Sequence, residues 1–304
     1  MKRKTAVTIG TFDGVHKGHR LLINKTLQLA REKGLRSVVI CLDRPVKKVR
    51  GLLTTRDEKV EEIKALGVDE IIVIDTPSEF LNYSPDRFFD DILVGELNVS
   101  EIVCGSDFAF GKDRKGTLDW LKEKAENNSI GLNVLNCLKD SLKQISSSHI
   151  RSLIEKGEVE KAAEILGRYY SFSGIPFKDT GLGRKLGFPT VNLKVSSEKL
   201  LPDGVYISKI MQKNIIYISV TNIGCRLTFD RGPKIVPETH VLNFDGLWGK
   251  SLTEVILLKK IRDEKRFKSL EALKLQIGKD ADKALEFFKL GKNNQNLLKS
   301  VCRD

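Results

Sequence analysis

Two of the four histidines in the 304-residue chain, His16 and His19, stand three apart in one glycine-rich decapeptide, Gly10–His19, reading GTFDGVHKGH. At that spacing both imidazoles can point into the same space and donate hydrogen bonds to phosphate oxygens. Gly10, Gly14 and Gly18 let the main chain come close to an anion. The decapeptide follows an apolar run, Thr5–Ile9, and leads into a helical pattern, so the free N–H groups and partial positive charge of a helix start face the same ligand. Such a set stabilises charge on a triphosphate without a covalent nucleophile, which is what transfer of an adenylyl group from ATP needs. A glycine-rich turn with two incidental histidines is the plainer reading, and the agreement of strand, loop and helix argues against it.

Three further segments carry chemistry. Gly105–Gly116, GSDFAFGKDRKG, sets two phenylalanines in a glycine-rich loop, where they pack on a planar ring or form an ordinary surface loop. Ser146–Arg151, SSSHIR, offers N-cap hydroxyls, helix amides and a guanidinium to one anion, or is a capped helix and no more. Gly181–Asn192, GLGRKLGFPTVN, joins a basic glycine-rich turn to Thr190 and Asn192. Arg184 and Lys185 suit a flexible cover over ATP phosphates, and the Thr and Asn oxygens are hard donors suited to Mg2+. No GxxxxGK[ST] loop is present, and in isolation the stretch also reads as a hairpin with Gly and Pro punctuation.

The elements that position these residues change rhythm along the chain. In the first half strands at 5–9, 37–42, 70–74, 101–104 and 131–136 alternate with helical stretches at 21–33, from Thr55 to Gly67, from Ser84 and at 117–127. Thr55 with Glu58 forms a capping box. That order implies a doubly wound parallel sheet with helices on both faces, whose ligands bind at the carboxyl ends of the strands. From Tyr170 onward short β-rich runs at 205–211, 215–221, 238–244 and 254–260 imply a small antiparallel barrel. Gln212–Asn214 forms a hairpin turn, and an amphipathic helix over 269–290 covers the open side. The boundary falls at 166–169, giving domains 1–166 and 167–304.

Bulk properties narrow the class. No apolar run approaches the roughly 18 residues of a membrane span, and the N-terminal apolar stretch is too short for a signal peptide. Five scattered cysteines with no CxxC pair argue against disulfides or zinc and for a reducing cytoplasm. The net charge of +12 raises nucleic acid as a partner. Basic and acidic residues are interleaved, however, and phosphate pockets on a lysine-rich surface account for the excess.

GTFDGVHKGH resembles the HxGH signature of the nucleotidylyltransferase superfamily, shared by cytidylyltransferases and pantetheine-phosphate adenylyltransferases. GSDFAFG and SSSHIR are similar to segments of the bacterial bifunctional riboflavin kinase/FAD synthetase family. GRKLGFPTVN resembles that family's flavokinase signature GRxLGFPTAN, with Val191 for alanine. The resemblance covers nearly the whole chain. It implies that Gly10, Phe12, Asp13, Gly14, His16, His19, Ser147, Ser148 and Arg151 handle ATP in the first module, with His16 and His19 catalytic, and that Asp107, Phe108 and Phe110 hold its flavin. In the second module it implies ATP binding by Gly181, Gly183, Arg184, Lys185, Thr190 and Asn192, the last two as Mg2+ ligands. Glu238, within PETH, becomes the general base, and Arg262 and Phe267 lie near the flavin.

The implied activities are ATP-dependent phosphorylation of riboflavin to FMN, then adenylyl transfer to FMN giving FAD and pyrophosphate. The ligands would be riboflavin, FMN, FAD and ATP, with Mg2+, no nucleic acid or membrane partner, and a monomer or weak self-association. Competing expectations are one retained activity beside a regulatory flavin-binding module, or a basic nucleic-acid-binding protein on a nucleotidyltransferase fold. Three stretches depart from the family pattern. Where the family has a (T/F)(D/E)PHP segment the chain reads Cys41-Leu42-Asp43-Arg44-Pro45-Val46, NIGxRPTF lacks its proline at Leu227, and LDFDGDLYG is shortened to LNFDGLWG at 242–249, with Asn243 for an acidic residue.

Overall fold

The computed structural model describes residues 3–75, 82–136, 138–140, 143–178, 183, 187–228, 232–244, 246 and 248–291. The chain divides into two compact units, 1–147 and 148–304.

The first unit contains β1 (Thr5–Gly10), α1 (Lys17–Lys33), β2 (Arg36–Leu42), α2 (Arg56–Lys64) and β3 (Glu70–Ile74). There follow α3 (Pro85–Arg87), which runs into a π-helix (Phe88–Glu96), then β4 (Val99–Gly105), α4 (Leu118–Asn127) and β5 (Gly131–Leu135). Its sheet has the order β3-β2-β1-β4-β5, with every pairing parallel. Alternate strand residues serve opposite faces. Val7, Val38, Ile40 and Ile102 pack with Phe88, Phe89 and Leu93 of the π-helix and Leu121 of α4. Val39 and Cys41 pack with Ile23 and Leu27 of α1 and Ile63 of α2, while Ala6 and Val103 meet Leu29 and Ala30. The doubly wound expectation is met. The order reverses between β1 and β4, so the loops that leave these two neighbouring strands open at the switch point where such sheets bind ligands.

Local chemistry sets the helix ends. α1 begins at Lys17, ahead of the expected Leu21, because the His16 side chain caps it, and Gly34 closes it at φ 65°. The Thr55/Glu58 capping box forms with both of its hydrogen bonds. Ser84 caps only three α-helical residues before the helix widens. In the i→i+5 pattern Phe88 and Leu93, five apart, share the core-facing side. A two-residue ribbon, β6 (Lys139–Asp140) with β7 (Lys143–Gln144), was absent from the sequence reading.

The second unit contains α5 (Ser147–Glu155, its first residue in the first unit) and α6 (Val159–Leu166). The strands are β8 (Tyr170–Phe177), β9 (Thr190–Val195), β10 (Gly204–Gln212), β11 (Ile215–Thr228), β12 (Gly232–Val241) and β13 (Thr253–Arg262), followed by α7 (Leu270–Gly291). The strands close into an antiparallel barrel, β10-β11-β12-β9-β8-β13. Lys213 and Asn214, both at positive φ, make a two-residue turn between β10 and β11, as the sequence suggested. Two expectations are corrected. The strand read at 238–244 runs over Gly232–Val241, and Asn243 takes a positive φ beyond its end. The barrel has no open side for α7, which instead packs Ala281 and Ala284 against Val205, Ile207 and Val220. The opposite wall face is buried although α7 does not cover it, because the barrel closes on itself. There the hydroxyls of Ser208, Ser219, Thr221 and Thr239, all 0% exposed, form a chain with contacts of 2.7 to 3.0 Å.

Candidate functional site

The loop after β1 is held in an unusual shape. Phe12 (φ 49°), Gly14 (φ 85°) and Val15 (φ 39°) are all left-handed, and such a backbone in non-glycine residues costs on the order of 1–3 kcal/mol each and persists only where its surroundings enforce it. Here the enforcement is visible. The buried Asp13 carboxylate accepts hydrogen bonds from Leu53 N (3.2 Å) and Thr54 N (3.0 Å), and Gly14 N donates to Thr54 Oγ1 at 3.0 Å. Ser147 Oγ donates to the Asp13 carbonyl at 2.9 Å.

His16 Nδ1 accepts from His19 N at 3.3 Å, which in the neutral ring puts the proton on Nε2 and leaves that nitrogen as a donor. The two imidazoles stack at 3.6 Å between centroids, 18° from parallel. A Cβ on Gly18 would sit 3.2 Å from the His16 ring, so glycine there permits the stack. The expected histidine pair is therefore assembled. Phe12 and Asp13 stand differently from the expectation of ATP contacts. Both are 1% exposed, with side chains turned into the protein, and the loop offers a ligand its backbone at these two positions.

Beside this loop, the turn after β4 is anchored through Phe110, which packs against Phe88 (5.2 Å) and Trp120 (5.6 Å). Phe108 stacks on Phe110 at 5.5 Å and 22°, and Phe110 and Gly116 exchange two backbone hydrogen bonds of 3.0 Å. Asp107 is exposed. Ser148 and Arg151 lie on α5 in the second unit.

In the second unit the register of β9 against β12 pairs Asn192 with Glu238 and Thr190 with His240. Directly opposed residues share a sheet face, so these four side chains stand together. Asn192 is 7% exposed, and its Oδ1 is buried without a hydrogen-bond partner among the described residues. His240 Nδ1 lies 3.0 Å from the Pro189 carbonyl, and its ring meets Phe188 edge-on at 5.3 Å. Gly183 has no room for a side chain, since a Cβ would fall 2.5 Å from the Phe188 carbonyl and 3.1 Å from Thr190 Oγ1. Gly181, Arg184 and Lys185 lie outside the described residues. Arg262, expected near the flavin, is tied to the last helix. Its Nε and Nη2 both donate to Asp280 of α7, at 3.0 and 2.8 Å, and its guanidinium stands 5.7 Å from the Phe267 ring.

Comparison with known proteins gives these two sites a common setting. Residues 1–149 match the family model described as FAD synthetase, and residues 166–288 match that described as riboflavin kinase. A Bacillus subtilis protein named bifunctional riboflavin kinase/FMN adenylyltransferase is 33% identical over 94% of this chain and 93% of its own. The Escherichia coli protein of the same name is 32% identical over the same shares. The chain belongs to the bifunctional riboflavin kinase/FMN adenylyltransferase family. A Streptococcus pneumoniae structure titled a macrolide-efflux protein also superimposes, with a TM-score of 0.84 and 27% identity, covering 93% of this chain and 94% of that one. No helix among the described residues here is long and apolar enough to cross a membrane.

The family's first module contains two groups here that the sequence reading missed. Thr54 locks the β1 loop as described. Lys59 of α2 is 1% exposed and donates to the carbonyls of Thr11, Leu42 and Asp43. Burial draws its ammonium below the ordinary lysine range, opposed by Cys41, Asp13 and Asp43. Leu42 and Asp43 directly precede the stretch where the family's PHP segment is absent, and Asp43 binds Arg44 there through its carboxylate. Burial raises the Cys41 thiol and pushes Cys104, at the end of β4, up to about 11. In the family's second module, the shortened LNFDGLWG stretch closes on an aromatic triad of Tyr217, Phe244 and Trp248, with centroids 5.2 to 5.4 Å apart.

Proposed function

We propose that the chain makes both flavin cofactors in sequence, residues 167–304 phosphorylating riboflavin to FMN and residues 1–166 adenylylating FMN to FAD. The observation that carries this is the presence of both family modules in one chain, each with its signature residues. ATP is the co-substrate of both steps.

In the kinase step Glu238 takes the proton of the riboflavin 5′-hydroxyl as that oxygen attacks the γ-phosphorus of ATP, and ADP leaves. Thr190 and Asn192 are the residues that would hold Mg2+. The unpartnered buried Oδ1 of Asn192 opposite Glu238 fits that assignment, because a buried amide oxygen is costly to leave without a donor or a cation. Bound there, the ion would neutralise phosphate charge. Gly181, Gly183, Arg184 and Lys185 cover the nucleotide, and Phe267 flanks the flavin. Arg262, held against α7 by Asp280, lies near the flavin with Phe267.

In the adenylyl-transfer step an FMN phosphate oxygen attacks the α-phosphorus of ATP in line, and pyrophosphate leaves. His16, through Nε2, and His19 donate to the phosphate oxygens, helped by the backbone of Gly10–Gly14 and by Ser147, Ser148 and Arg151. Phe108 supplies a planar face for the flavin, backed by Phe110, with Asp107 at the rim. The interleaved charge favours these small molecules over nucleic acid, and the buried thiols of Cys41 and Cys104 suit a reducing cytoplasm.

The test supplies riboflavin, ATP and Mg2+ and resolves the flavin products by chromatography. FMN followed by FAD is expected, and the formation of neither FMN nor FAD would overturn the reading. FAD from added FMN but not from riboflavin would restrict the chain to one activity. Glu238→Gln should abolish FMN formation and leave FAD synthesis from FMN intact.

A further inference from the structure

We propose that Lys59 is a positioning residue for adenylyl transfer, gripping from beneath the loop that carries His16 and His19. The inference rests on the assignment of that step to the first unit. Lys59 Nζ donates to the carbonyls of Thr11 (2.9 Å), Leu42 (2.5 Å) and Asp43 (3.0 Å). An ammonium has three protons for these three acceptors, whereas a neutral amine has two, so the grip is complete only while the group is charged. The acceptors are the last residue of β2 and the residues just beyond the carboxyl ends of β1 and β2, and one cation therefore sets the spacing of the two loops.

The Thr11 carbonyl points at Nζ, so in the planar trans peptide the N–H of Phe12 must point the opposite way. Phe12 is left-handed and would relax if released. Lys59 holds the carbonyl side of this strained turn, while Asp13, bonded to Leu53 and Thr54, holds the next residue. Loss of either would let the phosphate-facing backbone move, and a displacement of about 1 Å at such a site costs about a hundredfold in rate.

The charge has a cost to stability that a purely structural peg would not need. The groups facing the ammonium are Cys41 on β2, Asp43 after it and Asp13 on the β1 loop, and Arg56 on the same helix as Lys59 acts on Cys41. Because the folded-state pKa is lowered, the unfolded chain binds more protons between that value and the ordinary lysine value of about 10.4, and stability rises with pH across the window. Activity should fall across the same window as the third hydrogen bond is lost. A role in folding alone gives no such opposition.

The experiment measures FAD formation from FMN and ATP with Mg2+, riboflavin phosphorylation and thermal melting, for the wild type, Lys59→Met and Lys59→Arg. Lys59→Met should lower kcat for FAD formation at least about tenfold and leave KM for FMN and riboflavin phosphorylation within about threefold. Lys59→Arg should recover most of the rate and move the alkaline limb of kcat to higher pH, since a guanidinium stays charged. Lys59→Met with FAD formation within about threefold of the wild type would overturn the proposal. If Lys59→Met does not fold, a wild-type kcat that shows no alkaline decline while the protein remains folded overturns it equally. A wild type that makes no FAD removes the assignment of the unit, and the proposal with it.

Discussion

Asp13 is the residue in the β1 loop whose removal should be felt twice. Asp13→Ala leaves the N–H groups of Leu53 and Thr54 without their acceptor, a loss of about 1–3 kcal/mol for a buried donor. FAD formation should fall sharply while FMN formation persists, as a melt and a product chromatogram would record. Wild-type FAD output with unchanged melting would refute this role. The thiols make an opposite prediction. With Cys104 pushed up to about 11 and Cys41 also raised and buried, neither should be alkylated at pH 8 until the protein is denatured. Mass mapping of labelled peptides tests this, and rapid native labelling of either residue would contradict it. The spacing of His16 and His19 between a strand and a helix sufficed to show that their rings meet, because both side chains belong to one helix start. It could not show that Asp13 turns inward, since two residues adjacent in a loop have no fixed direction. Lys59 was invisible for a related reason. A lysine in a polar helix reads as solvated, and only the third dimension brings three carbonyls to it.

At the scale of elements, the Arg262–Asp280 pair ties β13 to α7 in the second unit, and Asp280 is 2% exposed. Breaking a buried pair by removing one partner costs about 3–5 kcal/mol. Asp280→Ala should therefore lower the melting of the barrel unit markedly, and calorimetry that finds no change would rule out the tie. The helices and parallel strands of the first unit were readable because their apolar residues keep the periods that packing demands. β12 was read too short because Pro233 and Pro237 argue against a strand. Among the described residues β9 pairs with β12 over Glu238–His240, and the flank of 232–237 on that side stands outside this ladder, where a missing N–H is tolerated. The π-helix left no mark in the sequence beyond a hydrophobic run, and its wider turn depends on what Phe88 and Leu93 pack against.

For the whole molecule, the division at 147/148 predicts two thermal transitions. Riboflavin with a non-hydrolysable ATP analogue should raise one of them, by about 2.7 kcal/mol at a hundred times its dissociation constant. A single transition that moves as one would contradict independent units. The change of rhythm near Gly167 was legible and marks the start of the barrel strands. The compact units divide earlier, because α6 buries Val159, Ala162, Ile165 and Leu166 and packs on β8 and β13.

The hydroxyl chain inside the barrel constrains how this sequence can drift. The chain runs Ser219–Ser208–Thr221–Thr239, so an apolar replacement at Ser208 strands Ser219 and one at Thr221 strands Thr239, whereas replacing an end residue, or all four together, strands none. A library randomised at these positions should accept apolar residues singly at 219 and 239, and at 208 or 221 only together with the end residue that each one pairs. The two inner sites can change only in step with the outer two.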